Sequence, residues 1–214
     1  MLYLKATPKE EGLIFYFLLI AAYLIGSISS AILVCKALGL PDPRTQGSNN
    51  PGATNVRRIA GNKVAAIVLL GDTFKGFLPV LLATTLELSL FEISLVGLGA
   101  FLGHIYPVFF DFKGGKGVAT YIGILLACST IVGIVFICIW LFIAKVLKIS
   151  SLSALVATAI SPIYYYLFVD DARSAIVITI ICGLIFKLFI SKFCTASYKS
   201  FLTSCLIPSF CAFS

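Results

Sequence analysis

The sequence predicts an all-α, polytopic membrane protein of about seven transmembrane helices, with the N-terminus outside and the C-terminus in the cytoplasm. Three observations carry this. The chain is 60% hydrophobic and 12% charged, with mean hydropathy +1.07, well outside the soluble globular range. Its apolar residues are gathered into long runs. Its lysines and arginines fall unequally on the two sides of those runs.

The first run, Gly12 to Cys35, has 24 positions without a charge. A span needs roughly 20. A secretory signal peptide is the competing reading of residues 13–35 and fits poorly. Glu10 and Glu11 precede the run, and no small-x-small cleavage site follows before the next basic loop. Val64–Leu86 is the second run, interrupted only by Asp72 and Lys75. Intramembrane charges are costly, so a pair at i, i+3 is expected to neutralise itself; a part in positioning the basic loops is the alternative. Ile93–Phe110 is the third run and ends near His104, the single histidine. A packed or interfacial histidine is the expectation there, rather than a catalytic base.

Gly117–Ala144 has 28 residues. As one helix it would be about 42 Å long against a hydrocarbon core of roughly 30 Å. Ser129-Thr130 and Gly133 offer a turn into two shorter helices. Charge decides between the options. With two helices, twelve lysines and arginines face the cytoplasm and three face outward, Lys75 lying within a span; with one long helix the split is eight to seven. Two helices are therefore expected. Ile149–Val169 and Ser174–Phe186 complete seven spans. No segment between them is long enough to fold alone, so residues 1–214 form one membrane domain. The net charge of +7 is then the positive-inside signature and not a nucleic-acid surface. Seven scattered cysteines without a CxxC, and one histidine, give neither a zinc site nor a disulfide framework; no metal or cofactor is expected.

Two polar loops stand out against this background. Residues 44–58 read Arg-Thr-Gln-Gly-Ser-Asn-Asn-Pro-Gly-Ala-Thr-Asn-Val-Arg-Arg. Backbone N–H groups freed by Gly47 and Gly52, with Ser48, Thr54, Asn55 and Arg58, suit an anion. The second loop is Phe112-Lys113-Gly114-Gly115-Lys116-Gly117. It is not a nucleotide P-loop, which would need Gly where Phe110 stands and Ser or Thr where Gly117 stands. What remains is a glycine-rich turn with two lysines at the start of a helix, a setting that favours phosphate. Both loops fall on the cytoplasmic side of the expected topology. No Ser-His-Asp order, paired catalytic carboxylates or His-x-x-x-x-Asp acyltransferase signature is present.

Taken in order, Gly26-Ser27-Ile28, Asp42-Pro43-Arg44, Gly47 to Asn55, Asp72 with Lys75-Gly76, Gly103 to Phe109 and Phe112 to Thr120 resemble one family. It is the bacterial acyl-phosphate:glycerol-3-phosphate acyltransferases, and the resemblance covers about residues 12–186. It implies a multi-pass protein of the bacterial inner membrane with its active site on the cytoplasmic side. The implied reaction moves a fatty acyl group from acyl phosphate to the 1-position of glycerol 3-phosphate and gives lysophosphatidic acid. Membrane lipids and other enzymes of phospholipid synthesis are the implied surroundings. By the family pattern Ser48, Arg58 and Lys116 would do the catalytic work. Gly47, Asn50, Gly52, Thr54, Asn55, Lys113, Gly114, Gly115, Gly117 and Ser151 would bind substrate. An acyl phosphate is already activated, so positioning and charge stabilisation can carry the reaction without an enzyme nucleophile. The substrate's own phosphate dianion can accept the hydroxyl proton.

The chain departs from the pattern twice. Asn49 stands where the family has Gly, and since Asn tolerates left-handed backbone the change is expected to be silent. The larger departure begins near Lys187. The family ends its last span with His and, three residues on, Asn; no histidine follows His104 and no asparagine follows Asn62 here. Two readings stay open for residues 187–214: translation in a shifted frame, or true divergence. This tail is expected to pack loosely, to add no polar group to the site, and to leave activity weak or absent. Two other functions stand beside the acyltransferase: a catalytically impaired member kept as a scaffold, and a transporter of a small phosphate anion. Transporters of this sort usually carry internal repeats, and the two basic motifs differ in sequence and spacing.

Overall fold

The structure, a computed structural model, describes residues 8–206, with side chains described at residue 10 and residues 12–191. Within them the chain is helical throughout, with no strand. Helix α1 spans Pro8–Gly26 and α2 spans Ser30–Ala37. The sequence suggested one straight run here. The two helices instead meet at 42° across Ser27-Ile28-Ser29. The carbonyl of Ile28, freed by the break, accepts a hydrogen bond from Lys75 Nζ at 2.8 Å. A buried ammonium thus satisfies a backbone group that would otherwise be stranded away from water.

Helix α3 spans Ala53–Thr85 and is divided at Gly61, where φ is +80°. Its first eight residues form a short separate helix, 53–60, so Thr54, Asn55, Arg57 and Arg58 are helical and not part of the expected loop. Helix α4, Leu90–Ile105, starts from a capping box between Ser89 and Glu92. A 3-10 turn, Val108–Phe110, and the glycine-rich loop lead into α5, Val118–Cys128.

The expected turn at Ser129 is present. Ser129 is extended, and α6 runs from Thr130 to Leu147. The rings of Tyr121 and Phe136 meet edge to face with centroids 5.6 Å apart. A continuous helix would hold those positions about 22 Å apart, so α5 and α6 fold back as a hairpin. Helix α7 spans Ser150–Val169 and α8 spans Ala172–Leu206. Among the described residues five helices are long and apolar enough to cross a bilayer, and the bent α1–α2 pair, taken as one span, makes a sixth. Helix α5 has 11 residues, about 16 Å, and is too short to cross alone.

The core lies along α4 and α5. Phe101, Tyr121, Ile124 and Leu125 are fully buried there, with Phe136 of α6 and Ile178, Ile181 and Ile185 of α8 packed around them. Small residues set the helix spacing: at Gly26 and Gly103 the backbones of α1 and α4 touch, leaving no room for a Cβ. The expectation of a loosely packed tail that adds no polar group to the site concerns residues 187–214, of which only 187–191 have described side chains. Helix α8 continues through Lys187 to Leu206, and Phe189 is buried in the core. The side chains of 192–206 and all of 207–214 lie outside the described residues.

Candidate active site

The two polar loops come together on one side of the molecule. Arg44 grips Asp42 with Nη2 at 2.8 Å and Nε at 3.0 Å, and donates through Nη1 to the carbonyl of Phe110 at 3.2 Å. Its Nη1 also lies 3.8 Å from the carboxylate of Asp111. The hydrogen bonds from Arg44 hold the Asp42 carboxyl below the usual carboxylate range. A second junction lies at Gly115. A Cβ there would run into His104 Nε2 and would lie 3.1 Å from the carbonyl of Pro51. Only glycine lets the glycine-rich loop, the first loop and α4 meet so closely.

Asn55 shapes the first loop from beneath. It is buried, and its side-chain amide donates to the carbonyls of Pro43 and Gln46, each at 2.9 Å. Its Oδ1 accepts from the N–H of Ser48 at 2.9 Å. The amide is thus engaged in holding residues 43–48 in shape. Gly47 and Asn49 take φ of +60° and +52°, so Asn49 does adopt the left-handed backbone that makes it a fair substitute for glycine. Ser48, Thr54 and Arg58 are exposed at the surface of this loop and the helix that follows, while Asn50 and Gly52 are half-buried beside them.

The second loop rests on His104. The N–H of Gly115 donates to its carbonyl at 3.3 Å, and the same carbonyl leaves no room for a Cβ at Gly114. Gly117, with φ +80°, lies against the ring of Phe101 and opens α5. Lys113 is exposed, and Lys116 is half-buried. The Lys116 ammonium lies 3.7 Å from the centroid of the Phe189 ring. Burial, and then the charge of Arg58, push the proton affinity of Lys116 below that of an ordinary lysine. Two cations from different elements are therefore close enough to feel each other. The N-termini of α3 and α5 begin at these same loops and add their positive ends.

Beneath the loops lies a buried polar chain that sequence reasoning saw only in part. Lys75 and Asp72 pair at 3.0 Å, as the i, i+3 spacing suggests. The pair extends across helices: Asp72 Oδ1 lies 3.9 Å from His104 Nδ1, which in turn is 3.1 Å from Thr120 Oγ1. The chain thus runs from the α1–α2 break to the floor of the glycine-rich loop. Three ionisable residues set in apolar runs, Asp72, Lys75 and His104, were the available signal, and each is below 10% exposure.

Ser151 is exposed on the first turn of α7, and among the described residues no hydrogen bond or ion pair ties it to the two loops. Among the described residues no group of three or more His, Cys, Asp and Glu side chains is placed to hold a metal ion. Cys35, Cys128, Cys138 and Cys182 are free thiols.

Fold and site together define a multi-pass helical membrane protein with a cationic, glycine-built polar site where two loops meet. Residues 16–201 match the family model described as glycerol-3-phosphate acyltransferase. The glycerol-3-phosphate acyltransferase of Ruthia magnifica is 59% identical over 174 residues, 81% of this chain and 88% of that protein. The one from Hydrogenovibrio crunogenus is 55% identical over 164 residues, 77% and 78% of the two chains. A crystal structure of PlsY (YgiH), an integral membrane glycerol 3-phosphate acyltransferase in its glycerol 3-phosphate form, superposes with TM-score 0.79 at 36% identity, covering 86% of this chain and 93% of that one. The lysophosphatidic acid form of that protein superposes at 0.76. The chain belongs to the glycerol-3-phosphate acyltransferase family.

Proposed function

We propose that this chain transfers a fatty acyl group from acyl phosphate to the 1-hydroxyl of glycerol 3-phosphate, forming lysophosphatidic acid and releasing inorganic phosphate. The observation that carries the reading is the meeting of the two loops at Gly115 and Pro51, with the half-buried Lys116 at the start of α5 and close enough to Arg58 to feel its charge. Like charges gathered in a partly desolvated place are costly unless an anion shares them. Both proposed substrates bring a phosphate.

In this reading Lys116 and Arg58 hold the acyl phosphate and stabilise the charge that builds on its phosphate as the acyl–oxygen bond breaks. The N–H groups of the 47–52 loop and the Ser48 hydroxyl orient glycerol 3-phosphate, with Asn50, Thr54 and Lys113 around it. Asn55 acts by keeping that loop in shape. Gly114, Gly115 and Gly117 let the second loop come close, and Ser151 contributes from the α7 terminus. The glycerol hydroxyl oxygen bonds to the acyl carbon, and its proton passes to a substrate phosphate dianion. The proposed topology has seven crossings, with the short α5 counted as one, and puts the site on the cytoplasmic side of the bacterial inner membrane. The codons near residue 187 decide whether the tail is read in a shifted frame.

The test is an assay of the purified full chain with palmitoyl phosphate and labelled glycerol 3-phosphate. Labelled lysophosphatidic acid is expected at a weak rate, because the His and Asn that end the family's last span are missing here, with none from acyl-CoA alone. Robust turnover of acyl-CoA without acyl phosphate would overturn the donor assignment. Accumulation of labelled phosphate inside sealed vesicles, without acyl transfer, would point to a transporter instead.

A further inference from the structure

Lys116 is the loop cation that the proposed reaction most depends on, yet its surroundings offer it little support. It is half-buried, and the like charge of Arg58 lowers its proton affinity. Among the described residues no carboxylate pairs with it in a salt bridge. What faces its ammonium is the Phe189 ring, at 3.7 Å to the centroid. Phe189 comes from α8, just past Lys187, where the expected polar ending of the last span is missing.

An aromatic face attracts a cation through its quadrupole and does little for a neutral amine. The attraction grows when water is excluded, as it is around a buried ring. Phe189 is also fixed: it belongs to the packed core, so its plane is not free to follow a mobile lysine. The ring therefore gives Lys116 a defined resting position beside Arg58. A flexible four-carbon stem would otherwise swing away from a like charge toward water. A phosphate arriving between the two cations then finds both already in place, and less ordering is left to binding.

We infer that Phe189, in the chain as it stands, is a positioning residue that holds the Lys116 ammonium beside Arg58 through its aromatic face. This rests on the proposed role of Lys116 in phosphate binding. The ring does not touch the reacting atoms. Its effect is expected on substrate affinity more than on turnover, because the ring sets where the ammonium stands before phosphate binds.

The test replaces Phe189 in the full-length protein with phenylalanines carrying one, two and three ring fluorines, by nonsense suppression. Fluorination drains the quadrupole in steps while shape and apolar packing are nearly kept. KM for acyl phosphate should rise stepwise, reaching roughly ten-fold at three fluorines, with kcat changed by less. Phe189→Leu should lose as much as the trifluoro variant, and Phe189→Trp should retain activity. Melting temperatures of the fluorinated proteins should stay together, which separates the effect from lost packing. A flat series, with Lys116→Ala inactive, would overturn the positioning role and leave the phosphate role of Lys116 standing. A flat series with Lys116→Ala fully active would remove both.

Discussion

Arg44 and Phe110 are 66 residues apart in sequence, and the guanidinium of one donates to the carbonyl of the other at 3.2 Å. The same guanidinium grips Asp42. One planar side chain thereby fixes the first loop to the end of α4's exit turn. Arg44→Lys keeps the charge but has no fork with which to serve both partners. We expect it to raise KM for glycerol 3-phosphate several-fold while leaving the melting temperature nearly unchanged. Steady-state kinetics and a thermal melt of the same preparation check this. An unchanged KM would mean that the loops meet without the clasp.

The clasp also has a pH signature. The folded-state pKa of Asp42 is lowered by its hydrogen bonds from Arg44. Its contribution is therefore complete above the ordinary carboxylate pKa and is lost as pH falls through the lowered value. Hydrogen exchange at the backbone of residues 42–48 should stay slow through mildly acid pH and quicken only below the usual carboxylate range. In Arg44→Lys the quickening should begin at higher pH.

Lys116→Ala is expected to abolish acyl transfer, since a desolvated cation facing phosphate is worth several kcal/mol, on the order of a thousand-fold or more in rate. Lys145→Ala, on the last turn of α6, should matter little. Because burial and Arg58 lower the proton affinity of Lys116, activity should fade on the alkaline side at lower pH than an ordinary lysine would dictate. Equal effects of the two alanine variants would reduce Lys116 to a topology signal.

Asn55→Ala leaves the carbonyls of Pro43 and Gln46 and the N–H of Ser48 without their partner. Of these the Pro43 carbonyl is buried, and an unpaired buried backbone group costs about 1–3 kcal/mol. Loss of both stability and activity is expected, seen together in a melt and an assay. Gly115→Ala should behave differently. Its new methyl group meets His104 and Pro51, prying the loops apart, so activity should fall by more than stability. Loss of both in parallel would instead make Gly115 a packing residue.

The helices were readable because apolar runs and charge balance act over many residues at once. The turn at Ser129 followed from length and charge, and the Asp72–Lys75 pair followed from i, i+3 spacing. What stayed hidden depends on contacts between distant segments. His104 read as a packed histidine, and only the meeting of α3, α4 and α5 joins it to Asp72 and Thr120. Asn55 reads as a substrate contact because its type suits one; its burial and its three hydrogen bonds to the loop had no mark in the sequence. The short helix 53–60 was missed because its residues are polar and Gly61 breaks the pattern. Phe189 carried no signal at all, since a phenylalanine among many in an atypical tail has no periodicity to mark it.

A mixed anhydride is as open to attack by water as by an alcohol, which makes the depth of the site a matter of yield. Helix α5 has 11 residues and its hairpin partner α6 has 18. Measured from their shared turn, α5 ends about 10 Å short of α6. On the proposed reaction, Lys116 therefore meets the acyl carbonyl well below the level at which α6 emerges, where bulk water is scarce. The glycerol hydroxyl, tethered by its own phosphate, becomes the favoured nucleophile by location. The short helix should then show itself as a ratio: nearly one lysophosphatidic acid formed for each acyl phosphate consumed, with little free fatty acid beside it.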